Sequence, residues 1–295
     1  MRRRICILSN KVPYPSADGS SIAMARLLEA LLALPEVEIT YAALNTAKHR
    51  KDLADFPQKV KDRIVLKSFE VNTSPTALGA LKNLLFTKEP YHSIRFWRRE
   101  TADWLQQFAS GHFDLTILEG AFMGHYQSLA KEKSKAVILR AHNLEFQIWQ
   151  RTSATVGYGF KRAYLQWQSS RLQQFEQSLA RNCEAVWTVS PVDAHWFTTY
   201  NPNTAWIPVH TKAANPIQTC QANTCFHLGA MDWLPNQRGV QWFLEKVWPL
   251  VRSQNKEATF HLAGNAMPEE FASDPSIGFF VHGRVASAED FAKNH

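Results

Sequence analysis

A histidine that follows a continuous apolar run is the first residue of this 295-residue chain that could do chemistry. Residues 136–139 read AVIL, and Arg140, Ala141, His142 and Asn143 come next. An imidazole placed there can donate to a hydroxyl or a phosphate, or hold charge that develops in a reaction, according to its tautomer. The plainer alternative is that His142 or Asn143 caps the helix that follows. Similar positions at the ends of apolar runs hold Asp18-Gly19, Glu119-Gly120, Ser190, Gly264-Asn265 and Gly283-Arg284. Gly19 precedes a helix start, where a bare backbone admits a ligand and unpaired N–H groups favour an anion. Ordinary turn chemistry explains it equally well. Ser190-Pro191-Val192-Asp193 reads as a helix start, which competes with ligand contact for Ser190. The loop from Gly229 to Gly239 carries Asp232, Asn236 and Arg238. Arg238, at or near the next helix start, could add a full charge to a backbone anion site of the kind that suits a diphosphate. The competing readings are an exposed loop arginine and an Asp232-Trp233 pair that packs the loop.

The elements that must position these residues alternate between strand-like and helix-like stretches, the pattern of a parallel α/β sheet. Strands are expected at 5–8, 37–44, 63–71, 113–118, 136–139, 185–189 and 205–209. Helices are expected at 22–34, capped by Ser20 or Ser21, then at 76–87, at 91–110 and over a long stretch from 144 to 180. Gly157 and Gly159 should break that last one. Residues 210–223 are polar without periodicity and read as a linker. This gives a first domain over 1–209 and a second over 224–295. The second restarts the alternation, with strands at 225–228, 259–263 and 278–282 and helices at 240–251 and 288–294. Three strands are about half of a doubly wound sheet, so we expect the second domain to be incomplete and the chain to be truncated there. In open parallel sheets ligands bind beyond the carboxyl ends of the strands, which is where all the residues above fall. Two such sheets facing a cleft would bind two substrates.

Composition narrows the class. Hydrophobic residues make up 45% and charged residues 20%, with 18 Phe and 10 Trp, which excludes a disordered chain. The apolar stretch after the basic start is too short for a signal peptide or a membrane span, so a cytoplasmic protein is expected. Cys6, Cys183, Cys220 and Cys225 lack a metal-type spacing and read as reduced thiols. Residues 1–221 carry 27 Lys+Arg against 18 Asp+Glu, while the remainder carries 6 against 8. A basic first domain suits an anionic partner: a phosphorylated substrate, a membrane face or nucleic acid. The basic residues are dispersed and no nucleic-acid motif is present, so no nucleic-acid partner is expected. The glycine fingerprint of nicotinamide enzymes is also missing. The cluster Arg95-Phe96-Trp97-Arg98-Arg99 is a candidate contact with an anionic membrane. An ordinary helix with solvated arginines is its alternative.

Four motifs together resemble the family 4 (group 1) glycosyltransferases of GT-B fold, in the subgroup tied to exopolysaccharide assembly. They are Pro13-Tyr14-Pro15 with Asp18-Gly19; Arg140-Ala141-His142-Asn143-Leu144-Glu145; Trp187-Thr188-Val189-Ser190-Pro191; and Leu228-Gly229-Ala230-Met231-Asp232-Trp233-Leu234-Pro235-Asn236. The resemblance implies two Rossmann-like domains, the first for the acceptor and the second for the donor. It implies retaining transfer from a nucleotide-diphosphate sugar to a saccharide or lipid-linked acceptor, without a metal or other cofactor, at the inner face of a membrane. His142 would contact the sugar or the reacting hydroxyl, and Gly19 would lie near the donor phosphates. Asp18, Glu119, Asn143 and Ser190 join them on the substrate side. Gly229, Asp232, Asn236, Arg238, Gly264 and Arg284 form the donor side, with Arg238 on the diphosphate and Arg284 near the base. Many family members carry Arg where Ala230 stands. The family's Glu-x7-Glu element lies beyond His295, so the alternative expectation is a sugar- or nucleotide-binding protein without turnover.

Overall fold

Apolar runs without polar alternation need cover on both faces, and the strands of the first unit carry it. In the computed structural model, which describes residues 2–16, 18–210 and 221–295, seven strands form one parallel sheet. They are β1 (Arg3–Ser9), β2 (Val37–Thr46), β3 (Ile64–Val71), β4 (Leu115–Glu119), β5 (Val137–Ala141), β6 (Ala185–Thr188) and β7 (Thr204–Trp206). Their order is β3-β2-β1-β4-β5-β6-β7. The direction of winding therefore reverses between β1 and β4, the switch point where a crevice opens. Side chains alternate across the sheet: Ile5 and Ile7 enter one buried core with Ile39, Tyr41 and Ile117, whereas Cys6 and Leu8 enter the other with Leu118 and Leu139.

The second unit is a separate three-stranded parallel sheet, ordered β10-β9-β8, from β8 (Thr224–Leu228), β9 (Thr259–Ala263) and β10 (Phe279–Gly283). Chain contacts divide the molecule into Met1–Thr211 and Lys212–His295. Most of the expected linker, 211–220, and Cys220 with it, lies outside the described residues. Phe260, Leu262, Phe279, Val240 and Trp248 form this unit's core against the helical stretch 234–254. That stretch widens to a π turn over Phe243–Val247 just before Pro249, which has no N–H to donate to the preceding turn.

Several boundaries differ from the sequence expectation for local reasons. The first helix is Gly19–Ala33 and is capped by Asp18, whose carboxylate accepts from Ser21 N while Ser21 Oγ returns to the Asp18 backbone. The span 91–110 is two short helices, Tyr91–Ile94 and Arg99–Gln106. Between them the Arg98 N–H turns to the Tyr126 hydroxyl at 2.7 Å. The long helical stretch does break at its glycines, into Glu145–Thr155 and Phe160–Arg181. The second unit's helix begins at Leu234, with Pro235 in its first turn, not at 240. Cys6, Cys183 and Cys225 are free thiols.

Candidate functional site

β4 ends in Glu119 and β5 ends at Ala141, with Glu119 paired in register to Arg140. Residues two apart on a strand share a face, so Arg140 and His142 both lie beside Glu119. The carboxylate is fully buried. It accepts from Arg140 Nη1 at 3.0 and 3.3 Å and from His142 Nε2 at 2.7 Å. Arg140 Nη1 also donates to the Ala23 carbonyl, 3.1 Å away in the first helix. Burial alone would push the Glu119 pKa up, but the Arg140 charge and the His142 hydrogen bond outweigh it and hold the group below the usual carboxylate range. An ionised carboxylate only accepts, so Nε2 of His142 carries the hydrogen and Nδ1 is left for another partner. A buried acid that fixes an imidazole's orientation and tautomer is the arrangement of a general acid or base, or of a donor to a sugar hydroxyl.

The loops around this pair are closely tied. Lys11, just past β1, holds Asp18 at 2.8 and 3.0 Å. Asp18, expected at the substrate, has its carboxylate committed to Lys11, Ser20 and Ser21. These contacts outweigh its burial and keep it strongly acidic. Gly19 has nothing within 4 Å of where a Cβ would stand, so the backbone there is open on that side. Gly120 adopts φ +91°, and a Cβ on it would press on Asn10 at 3.2 Å. Asn143 is exposed and hydrogen-bonds the Glu145 carboxyl. Neither His142 nor Asn143 caps the helix Glu145–Thr155. The fully buried Glu176 does so from the helix Phe160–Arg181, accepting from Glu145 N at 3.0 Å and Phe146 N at 2.9 Å. Burial pushes Glu176 up to about 8 and Glu145 up to about 7. Ser190 caps the helix Pro191–Thr198 through a long 3.4 Å bond from Asp193 N.

In the second unit, Gly229 and Gly264 mark a close approach of the strand ends. A Cβ on Gly264 would lie 1.7 Å from the Gly229 carbonyl oxygen, and one on Gly229 would lie 2.9 Å from Asn236 Nδ2. Asn236 donates to the Ala230 carbonyl at 3.0 Å, closing its own loop. Asp232 is exposed and Arg238 half-buried. Arg238 is the fifth residue of the helix Leu234–Trp242, a turn past the helix start where the sequence reading put it. Arg284 is exposed just after β10.

The structure thus brings Glu119 and His142 together in the first unit and Gly229, Asn236 and Gly264 together in the second. Arg140 stands in one of the sequence motifs, but the sequence does not name it as the partner of Glu119. Its signal was the even spacing to His142 on a buried strand end. Glu176 gave no local signal, being 31 residues from the backbone N–H of Glu145 that it caps. Arg95 and Arg98 of the basic cluster are tied to the carbonyls of Thr73 and Asn72, and Phe96 stacks on Phe122.

No protein-family model matches this sequence, and no curated protein matches it. Solved structures do. The UDP-glucose complex of UGT71G1 from Medicago truncatula superposes with a TM-score of 0.57 at 12% identity, over 99% of this chain and 74% of that one. TarM matches with a TM-score of 0.55 at 10% identity, over 100% and 79%. UGT2 of Phytolacca americana, bound to UDP-2fluoro-glucose and pterostilbene, matches at 0.53 and 11% identity, over 100% and 74%. The fold is GT-B. In GT-B terms β1 to β7 make the first Rossmann-like unit and β8 to β10 belong to the second.

Proposed function

We propose that this GT-B protein transfers a glycosyl group from a nucleotide-diphosphate sugar to an acceptor hydroxyl. The observation that carries this reading is the imidazole of His142 fixed by the buried Glu119–Arg140 pair at the carboxyl end of the first sheet. The bond to the leaving diphosphate breaks with positive charge building on the sugar ring. His142 Nδ1 contacts the sugar or the reacting hydroxyl, and Glu119 keeps that nitrogen aimed. Gly19 lets the donor phosphates approach the first helix, with Asn143 and Ser190 beside the substrate. Arg238 neutralises the departing diphosphate, since preorganised donors at developing charge are a large part of such catalysis. Gly229, Asp232, Asn236 and Gly264 shape the donor loop, and Arg284 lies at the base. Retention of anomeric configuration, a saccharide or lipid-linked acceptor, and transfer without a metal follow from the sequence resemblance.

The test is sugar transfer and donor hydrolysis with UDP- and GDP-sugars, alongside thermal shift with the nucleotides. His142→Ala should keep nucleotide binding and lose transfer by 10²-fold or more, the usual share of a positioned acid or base. Unchanged transfer would remove His142 from the mechanism. Nucleotide binding without any turnover by the parent chain would instead assign a sugar-nucleotide-binding role.

We further propose that the first unit docks on an anionic bilayer. No helix among the described residues is long and apolar enough to cross a membrane. The helix Ala77–Phe86, however, is inside out. Leu78, Leu81, Leu85 and Phe86 are 63%, 51%, 64% and 80% exposed, with Lys82 among them and Lys88 just beyond. Its inner face carries Gly79, against the Tyr91 hydroxyl, and Asn83, bonded to Gln168 and to the Glu89 carbonyl. An exposed apolar face flanked by lysines fits an interfacial lipid contact. This helix, rather than Arg95–Arg99, supports the membrane reading.

A further inference from the structure

We propose a transition-metal site on the second unit, formed by His261, His282 and His295. His261 lies on β9 opposite Phe280 of β10 and stacks on it with ring centres 5.1 Å apart; the register shifts between Val281 and Gly283, and His282, at that irregularity, also stacks on His261 at 5.1 Å, so all three gather on one face of the sheet. That face is opposite the one packed by the helical stretch 234–254. The helix Ala288–Asn294 crosses it through Phe291, whose ring meets Phe226 at 5.6 Å, His282 at 5.3 Å and His295 at 4.5 Å. His295 is carried over the strands in this way. One nitrogen from each histidine lies within 4.8 Å of the other two.

The hydrogen bonds on the outer nitrogens sharpen the assignment. His295 Nδ1 lies 3.1 Å from the Phe291 carbonyl, which can only accept, so Nδ1 carries the hydrogen and the Nε2 lone pair is available. His261 Nε2 is 3.2 Å from Thr259 Oγ1, and donation there leaves Nδ1 as an acceptor. That Nδ1 meets His282 Nε2 at 2.9 Å. Metal-binding histidines are commonly oriented in this manner, by a carbonyl or hydroxyl on the far nitrogen.

A divalent ion would take the place of the hydrogen shared by His261 and His282. The His282 hydrogen moves to its own Nδ1, so three neutral imidazoles hold the cation and no proton is released. Metal–nitrogen bonds of about 2.0–2.1 Å require a slight opening of the His261–His282 pair and an inward shift of His295 from the present 4.8 Å spread of the three nitrogens. Imidazole ligands select zinc, copper or nickel over magnesium and calcium. Three ligands leave a position for water or a fourth group. The residues are 21 and 13 positions apart, which is no recognised metal spacing, so only the fold unites them. The site shares no residue with the Glu119–His142 pair, and its proposal does not rest on the function proposed above.

Chelator-treated protein titrated calorimetrically with Zn²⁺ tests the site. We expect one equivalent per chain, binding at micromolar concentration or tighter. Affinity should fall at least tenfold in His261→Ala and in His282→Gln, with unchanged circular dichroism. It should be unaffected by His195→Ala, an exposed histidine of the first unit. Co²⁺ should give the visible absorption of a nitrogen-ligated ion in the parent and not in the variants. Absence of zinc uptake, or equal uptake by the His261→Ala/His282→Gln double variant, overturns the proposal.

Discussion

Two donors, Arg140 and His142, share the one carboxylate of Glu119, and each depends on it differently. Arg140 is buried with its charge, so Glu119→Gln leaves a buried guanidinium without its counter-ion. Breaking a buried pair from one side costs about 3–5 kcal/mol. We therefore predict a large fall in denaturant midpoint for Glu119→Gln, and a loss of transfer beyond what stability explains, because His142 loses its orienting partner. Glu176 has the opposite pH behaviour. Its folded pKa is raised well above the ordinary 4.5, so the native state holds that proton more tightly than the unfolded chain does. Its stabilisation is complete below about 4.5 and is lost as pH rises toward about 8. Glu119, held low, contributes in the other direction: its stabilisation is present above the ordinary carboxylate range and is lost in acid. Thermal midpoints taken from pH 5 to pH 8.5 should fall, and Glu176→Gln should flatten that fall by removing a stability slope on the order of 1 kcal/mol per pH unit. A parallel decline in parent and variant would refute the assignment to Glu176.

Elements position these residues through register and close approach. At the second unit's strand ends there is no room for a methyl group on Gly264, since the Gly229 carbonyl occupies it. Gly264→Ala should destabilise by about 1–3 kcal/mol or more, with lost zinc and nucleotide binding if the strand ends part. A melting curve identical to the parent's would contradict this. The helix Ala77–Phe86 makes a prediction of a different kind. Leu81→Glu with Leu85→Glu removes exposed apolar surface, so folding should be unchanged or slightly improved while flotation with anionic vesicles is lost. Retained flotation would point to another lipid contact. This helix was legible in the sequence as a periodic stretch, but its orientation was not. Nothing local says that Asn83 turns inward to meet Gln168 from 85 residues away. The break between Ile94 and Arg99 was illegible for the same reason, since Tyr126 supplies the competing acceptor.

At the scale of the molecule, two sheets with separate cores carry two sets of strand-end residues. A matching nucleotide should raise the thermal midpoint by mass action, through about 2.7 kcal/mol of added stability at a hundredfold excess over its dissociation constant. Screening UDP and GDP would also identify the base. Lipid association through the first unit should weaken in high salt, which screens the lysines, and a salt-insensitive remainder would measure the leucine contribution. By itself the sequence determined the parallel α/β class, nearly every strand, and the strand-end positions where ligands bind, because continuous apolar runs and glycine breaks are local signals. Tertiary structure alone decided which of those residues act together. Glu119 meets Arg140 and His142, Glu176 caps a distant helix, and three histidines converge on one sheet face, because pairing between strands and packing of helices set distances that separation along the chain does not encode.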